Sequence, residues 1–391
     1  MLLMQQSSIY LDYHSTTPVD RRVADKMLHS MTTAFGNASS VDHSYGDEAA
    51  QAVKKARQQV AELINASPQE IIFTSGATES VNLAIQGHFP QNLTSLPSRL
   101  IVSPIEHKAV LDTCKAIANQ GLAEIVWLKV DRQARIDLEY LERVCSGGAS
   151  LLCIMAANNE VGNIYPLQSI SQIAQKYNIP FFCDASQAVG KIPINFSDWG
   201  ISYLTLSGHK FYAPKGIGAL VVRKDYSLKP LFYGGEHQKG LRPGTLNVAG
   251  IVGLGEACSL RQLEMDADEK AIAAKRDRLQ NLLLAKIPNL IVNGDLQNRL
   301  AGNLHLSIPN IPNSAIVARI RDKLAISTGS ACSSGTTTSS HVLRLMQLPE
   351  TQIEGALRIG IGKFTTEAEI DLAAEILSDT VARISKILTS T

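Results

Sequence analysis

The chain has 391 residues, with 37 Lys plus Arg against 36 Asp plus Glu. A formal charge of +1 creates no field able to hold nucleic acid or an acidic membrane surface, so neither partner class is expected. Hydrophobic residues make up 45% and charged residues 19%, the balance of a globular enzyme, and the length implies two domains rather than one core.

Six cysteines, at positions 114, 145, 153, 183, 258 and 332, include no Cys-x-x-Cys pair, which argues against a metal site and for a reducing compartment. The opening Met1-Leu2-Leu3-Met4-Gln5-Gln6 lacks the basic and apolar regions of a secretory signal, and no run reaches membrane-spanning length. A cytoplasmic location is expected.

In chain order, Ile9-Tyr10-Leu11-Asp12 reads as a short strand running into the turn Tyr13-His14-Ser15-Thr16-Thr17-Pro18. A helix over 47–65 follows, with Ala49, Ala52, Val53, Ala56, Val60 and Leu63 at helical spacing. Next, Ile71-Ile72-Phe73-Thr74 is a strand, and Ser75-Gly76-Ala77-Thr78-Glu79 is a glycine turn opening a helix. That turn reads either as a capped strand-to-helix connection or as a phosphate seat built from backbone amides and a hydroxyl.

The alternation continues through strands near 100–103, 125–128, 151–155 and 180–184, with helical stretches between them. Such alternation predicts a mostly parallel sheet with right-handed crossovers and a site at the carboxyl ends of its strands. The polar clusters fall at those ends: Thr78, His107, Asn159, then Asp184 with Gln187, and Ser207 with His209 and Lys210. Taken singly, each has an ordinary reading as a satisfied histidine, a turn asparagine or a helix-capping aspartate. Their shared position argues for a common site.

Leu204-Thr205-Leu206-Ser207-Gly208-His209-Lys210 is the centre of the pattern, a buried strand ending in a hydroxyl, an imidazole and an amine. Lys210 is either a strand-end lysine facing water or one that forms a Schiff base with pyridoxal phosphate beside donors for the phosphate.

Beyond a second apolar run ending at Val222, a glycine-rich polar loop spans 232–245 and a long helix is expected over 249–285. Strands follow at 304–308 and 356–361, and an amphipathic helix at 367–388. Between them, residues 327–340 are small hydroxyl residues and glycines around Cys332, a composition that predicts a mobile surface loop. The lone cysteine is read as a working thiol rather than a passive exposed one.

Taken together, Leu11-Asp12, Thr74-Ser75-Gly76-Ala77-Thr78-Glu79-Ser80, Glu106-His107-Lys108, Asn158-Asn159-Glu160-Val161-Gly162, Asp184-Ala185-Ser186-Gln187, Ser207-Gly208-His209-Lys210, Ser330-Ala331-Cys332 and Leu357-Arg358-Ile359 resemble, in order and spacing, the cysteine desulfurases of the NifS/IscS type (group I). The resemblance implies an α/β fold of the aspartate aminotransferase kind (fold-type I, class V). A large domain of mostly parallel mixed sheet would cover 17–257, and a smaller α+β domain 1–16 with 258–391.

It further implies pyridoxal phosphate on Lys210, with Asp184 against the pyridine nitrogen, Gln187 on the ring oxygen and His107 stacked on the ring as a proton shuttle. Ala77, Thr78, Ser207 and His209 would hold the phosphate. Thr245 would reach the phosphate of a neighbouring subunit, implying a homodimer. Arg358 and Asn159 would grip the carboxylate of L-cysteine, and Cys332 would take its sulfur as a persulfide for an acceptor such as an iron–sulfur scaffold or a tRNA-thiolation protein. His14 and Glu236 depart from the family pattern; neither is expected to touch the core chemistry, though both could alter the rate or the cofactor environment. The competing readings are a cystine or cysteine lyase, selenocysteine lyase or transaminase of the same fold, which would not need Cys332, and a non-catalytic sulfur-carrier platform, which would not need the cofactor.

Overall fold

The computed structural model describes residues 8–89, 98–328 and 340–389. Twelve strands are described: β1 Ile9–Tyr10, β2 Ile71–Thr74, β3 Ser98–Val102, β4 Ala123–Trp127, β5 Leu151–Cys153, β6 Phe181–Asp184, β7 Tyr203–Ser207, β8 Gly218–Val222, β9 Ile291–Val292, β10 Asn303–Ser307, β11 Leu324–Ala325 and β12 Ala356–Gly360. Seven of them form the main sheet in the order β2-β8-β7-β6-β5-β3-β4. Only β8 runs against its neighbours β2 and β7, so the other six strands point their carboxyl ends to one edge.

Strands β5 to β8 are buried along their whole length, which explains why they read as continuous apolar runs. Alternate residues feed opposite faces. Leu152, Cys183, Leu204 and Leu206 enter one core, whereas Leu151, Cys153, Phe182 and Tyr203 enter another. A third core surrounds the antiparallel sheet β12-β10-β9 and the parallel pair β1-β11.

The helix Val248–Lys286 passes without interruption through position 257 and serves two of these cores. Its Ile251, Leu254 and Cys258 pack beside the main sheet, and its Ile272, Leu279 and Leu283 pack into the smaller one. The closing helix Glu367–Thr389 lays Ile370, Leu377, Val381 and Ile384 on that same smaller core. Arg358 on β12 is carried next to β1 by Asp12, which bridges Gly360 in parallel.

Candidate active site

At the carboxyl edge of the main sheet lies a cavity of about 460 Å³. Residues from seven places in the chain line it, including His14, Thr78, His107, Asn159, Asp184, Gln187, Ser207, His209, Lys210 and Arg358. Every site residue expected within one subunit is therefore gathered here, apart from Cys332, which lies outside the described residues. Thr245 is exposed on the loop before the long helix and is absent from the lining of its own subunit's cavity.

Strand β2 ends in Ser75-Gly76, and Gly76 adopts φ 150° as the helix Ala77–His88 begins. A side chain is strained at that angle. The neighbouring β8 is held equally close, since a Cβ on Gly218 would fall 2.8 Å from the Gly76 Cα. This packing turns the helix N-terminus, with the amides of Ala77 and Thr78, toward Ser207 at the end of β7. Thr74 and Ser80 brace the turn through a hydroxyl pair at 2.7 Å.

After Ser207, a short 3-10 turn, Gly208–Lys210, sends two side chains toward the residues that follow β1. His209 Nδ1 meets Thr16 Oγ1 at 3.1 Å, and Lys210 Nζ donates to the carbonyls of His14 and Ser15 at 2.7 and 2.8 Å. Burial, then the charges of Lys210, Lys215 and Lys191, lowers His209 to about 4, so its ring is neutral at physiological pH.

Asp184 closes β6 and is 5% exposed. The two hydrogen bonds described for its side chain, from Ser186 N and Ser186 Oγ, both fall on Oδ1. Behind it, Glu106 is fully enclosed, with Oε1 accepting from Met155 N at 2.6 Å and Oε2 unpartnered among the described residues. Burial, then the nearby Asp184 carboxylate, pushes Glu106 well above the usual carboxylate range.

His107 caps the helix Lys108–Asn119, its Nδ1 accepting from Ala109 N at 3.1 Å. That bond leaves Nε2 as the protonated nitrogen of the neutral ring. Asn158 builds the next turn, its Oδ1 accepting from Glu160 N and Val161 N, and so presents Asn159 to the cavity. Arg358 is anchored by the carbonyl of Asn159 at 2.9 Å, Asp12 Oδ1 at 3.0 Å and Ser15 Oγ at 2.6 Å. Its Nε is buried without a partner among the described residues.

The departure at His14 falls within the cavity, where a change of cofactor environment was expected to be possible. His14 is 3% exposed, lines the cavity, and offers its carbonyl to both Lys210 and Gln187. Glu236 is exposed and lies outside the cavity. Reading the motifs also passed over Lys191, which donates to Gln187 Oε1 at 3.0 Å. The four-residue spacing of Gln187 and Lys191 was the available signal.

This donor set fits pyridoxal phosphate. Amides, a hydroxyl and an imidazole converge at one end, a carboxylate with a spare oxygen stands on β6, and an amine reaches the same space.

Comparison with known proteins points the same way. The aminotransferase class-V family model matches residues 9–372. A cysteine desulfurase IscS of Anaeromyxobacter dehalogenans (strain 2CP-C) is 41% identical over 97% of this chain and 94% of its own. Among solved structures, a NifS-like protein superposes with a TM-score of 0.89 at 34% identity, covering 96% of this chain and 99% of the other. Another, described as SspA in complex with cysteine, gives 0.81 at 33% identity over 92% of this chain and 100% of the other. With a matching fold, near end-to-end relatives and a cavity built for the cofactor, the chain belongs to the aminotransferase class-V family and, within it, to the pyridoxal-phosphate-dependent cysteine desulfurases.

Proposed function

We propose that the chain carries out the cysteine desulfurase reaction with Lys210, His107 and Cys332 as its working residues. The observation that supports this most is the convergence of Lys210, Asp184, His107 and Arg358 on one cavity. When bound, pyridoxal phosphate supplies an electron sink for the carbon skeleton of the substrate.

Ala77, Thr78, Ser207 and His209 hold the phosphate, Asp184 the ring nitrogen and Gln187 the ring oxygen. Thr245 of a second copy completes the phosphate seat, which makes the working unit a homodimer. Arg358, with Asn159 beside it, grips the carboxylate of L-cysteine through its planar fork. Lys210 moves the proton at the substrate Cα, and His107 exchanges its proton at Nε2, because Nδ1 is occupied by Ala109 N.

The thiolate of Cys332 attacks the substrate sulfur. An S–S bond forms, the C–S bond breaks with its electron pair going to carbon, and that carbon takes a proton to give L-alanine. Cysteine plus thiol thus equals alanine plus persulfide, with no external oxidant. The persulfide then passes to an acceptor protein of iron–sulfur cluster assembly or tRNA thiolation. No helix among the described residues is long and apolar enough to cross a membrane, and we assign the reaction to the cytoplasm.

Mass spectrometry after brief exposure to L-cysteine tests the reading, with one added sulfur expected on the peptide bearing Cys332. Alanine formation at the wild-type rate by Cys332→Ser would instead indicate a lyase of the same fold.

A further inference from the structure

Behind Gln187, which lines the cavity, stands a lysine that the reaction above leaves unused. Lys191 Nζ donates to Gln187 Oε1 at 3.0 Å. The same oxygen lies 3.3 Å from His14 Nδ1, and Gln187 Nε2 donates to the His14 carbonyl at 2.9 Å.

These contacts fix the amide's orientation. An ammonium has no lone pair, so the group facing Lys191 is the oxygen, and Nε2 faces the carbonyl. His14 then carries its proton on Nδ1, and Oε1 accepts from two donors. One N–H of Nε2 is spent on His14, which leaves the other on a side chain that lines the cavity.

We propose that Lys191 is a positioning residue whose ammonium polarises the Gln187 amide from behind, so that the remaining Gln187 N–H donates strongly to an anionic oxygen in the cavity. The proposal rests on the reading of the cavity as a pyridoxal phosphate site, where that oxygen is the ring's. A cation on the carbonyl draws electron density from the amide nitrogen and strengthens its N–H as a donor.

The surroundings make this charge conditional. The residue as a whole is half-buried, but desolvation of its amine lowers the pKa, and Lys210, Arg261 and Arg358 oppose the charge further. Glu269, on the long helix, favours it. His14 offers no competing charge, because burial, then Lys191, Arg358 and Lys210, holds its ring well below the ordinary histidine range. The turn carrying Gln187 and Lys191 is itself clamped, since Arg261, 1% exposed, donates to the Gly190 carbonyl at 2.7 Å and pairs with Glu269 at 3.0 Å.

The test is a pH titration of the visible absorption of the purified, cofactor-loaded enzyme. A cation behind Gln187 opposes protonation of the chromophore, so Lys191→Met raises the midpoint by about one pH unit. Lys191→Arg, which keeps the charge, retains the wild-type midpoint. Lys191→Gln carries the same readout if the methionine variant fails to fold. In a Gln187→Ala background the shift caused by Lys191→Met shrinks. A wild-type protein with no cofactor band would sink the cofactor reading itself. A wild-type band whose midpoint is unmoved in the neutral Lys191 variants overturns the Lys191 proposal alone, as does a shift of undiminished size in the Gln187→Ala background.

Discussion

Lys210 donates through Nζ to the carbonyl of His14 over 2.7 Å, which ties the amine after β7 to the turn after β1. The carbonyl of Ser15 takes a second bond from the same amine at 2.8 Å. Lys210→Ala therefore has two separable effects. Activity falls by about 10³-fold or more, and borohydride no longer fixes the cofactor to the chain. The cofactor-free protein also loses about 2 kcal/mol, because the two carbonyls lose a charged donor. Lys210→Arg restores the melting temperature and leaves the activity absent. Recovery of turnover in that variant would show that the amine is not the attachment point.

Arg358 is aimed by three fixed partners, Asn159 O, Asp12 Oδ1 and Ser15 Oγ, each of which occupies a particular N–H of the guanidinium. Lysine cannot reproduce that fork. Arg358→Lys is expected to lower kcat/KM for L-cysteine by about 10- to 100-fold, equivalent to about 1.5–3 kcal/mol, with the cofactor absorption unchanged. An unaltered kcat/KM would mean that the substrate carboxylate binds elsewhere.

These two residues also show how far the amino-acid order reaches. Lys210 and Asp184 were legible because each ends an apolar run, and strand ends in a parallel sheet share one edge whatever the loop lengths between them. The long helix was legible in outline over 249–285 and is observed at Val248–Lys286. Lys191 was not recognised as part of the site, and the contacts of His14 and Glu106 within it were not legible. Their roles depend on contacts between distant segments, such as the 173-residue separation of His14 and Gln187, and no local periodicity encodes a contact of that kind. Glu106 sat inside a motif, but the upward push on its carboxyl follows from enclosure beside Asp184, which only packing reveals.

Enclosed ionisable groups make the stability of the cofactor-free protein depend on pH in both directions. Burial lowers His209 from 6.5 to about 4 and His305 from 6.5 to about 3, and His14 is lowered as well. A depressed histidine contributes stability that is present above the unfolded value near 6.5 and is lost as pH falls through the folded value. Glu160 acts in the opposite sense. Burial outweighs the hydrogen bond from Ser340 and the charge of Arg358, raising it from 4.5 to about 7, so its contribution is present below 4.5 and lost as pH rises through about 7. Glu160→Gln keeps an acceptor for Ser340 and removes the charge. It should leave the melting temperature nearly unchanged near pH 5 and raise stability at about pH 9 by roughly 3 kcal/mol. Equal melting shifts at both pH values would show that Glu160 is not held neutral.

The exposed Thr245 makes a prediction about assembly. Since it does not line the cavity of its own subunit, a phosphate contact from this residue requires a second copy of the chain. Mixing Lys210→Ala and Thr245→Ala subunits distinguishes the two arrangements. If Thr245 serves the partner, the mixed dimer contains one site with an intact Lys210 from one chain and an intact Thr245 from the other, while its second site lacks both. Activity of the mixture then rises above the average of the two parent variants, toward half the wild-type value in the mixed dimer. If Thr245 acts within its own chain or not at all, every site carries at least one defect and mixing gives only the average. Subunit exchange after partial denaturation, followed by an alanine assay on separately tagged and purified mixed dimers, reads the difference directly.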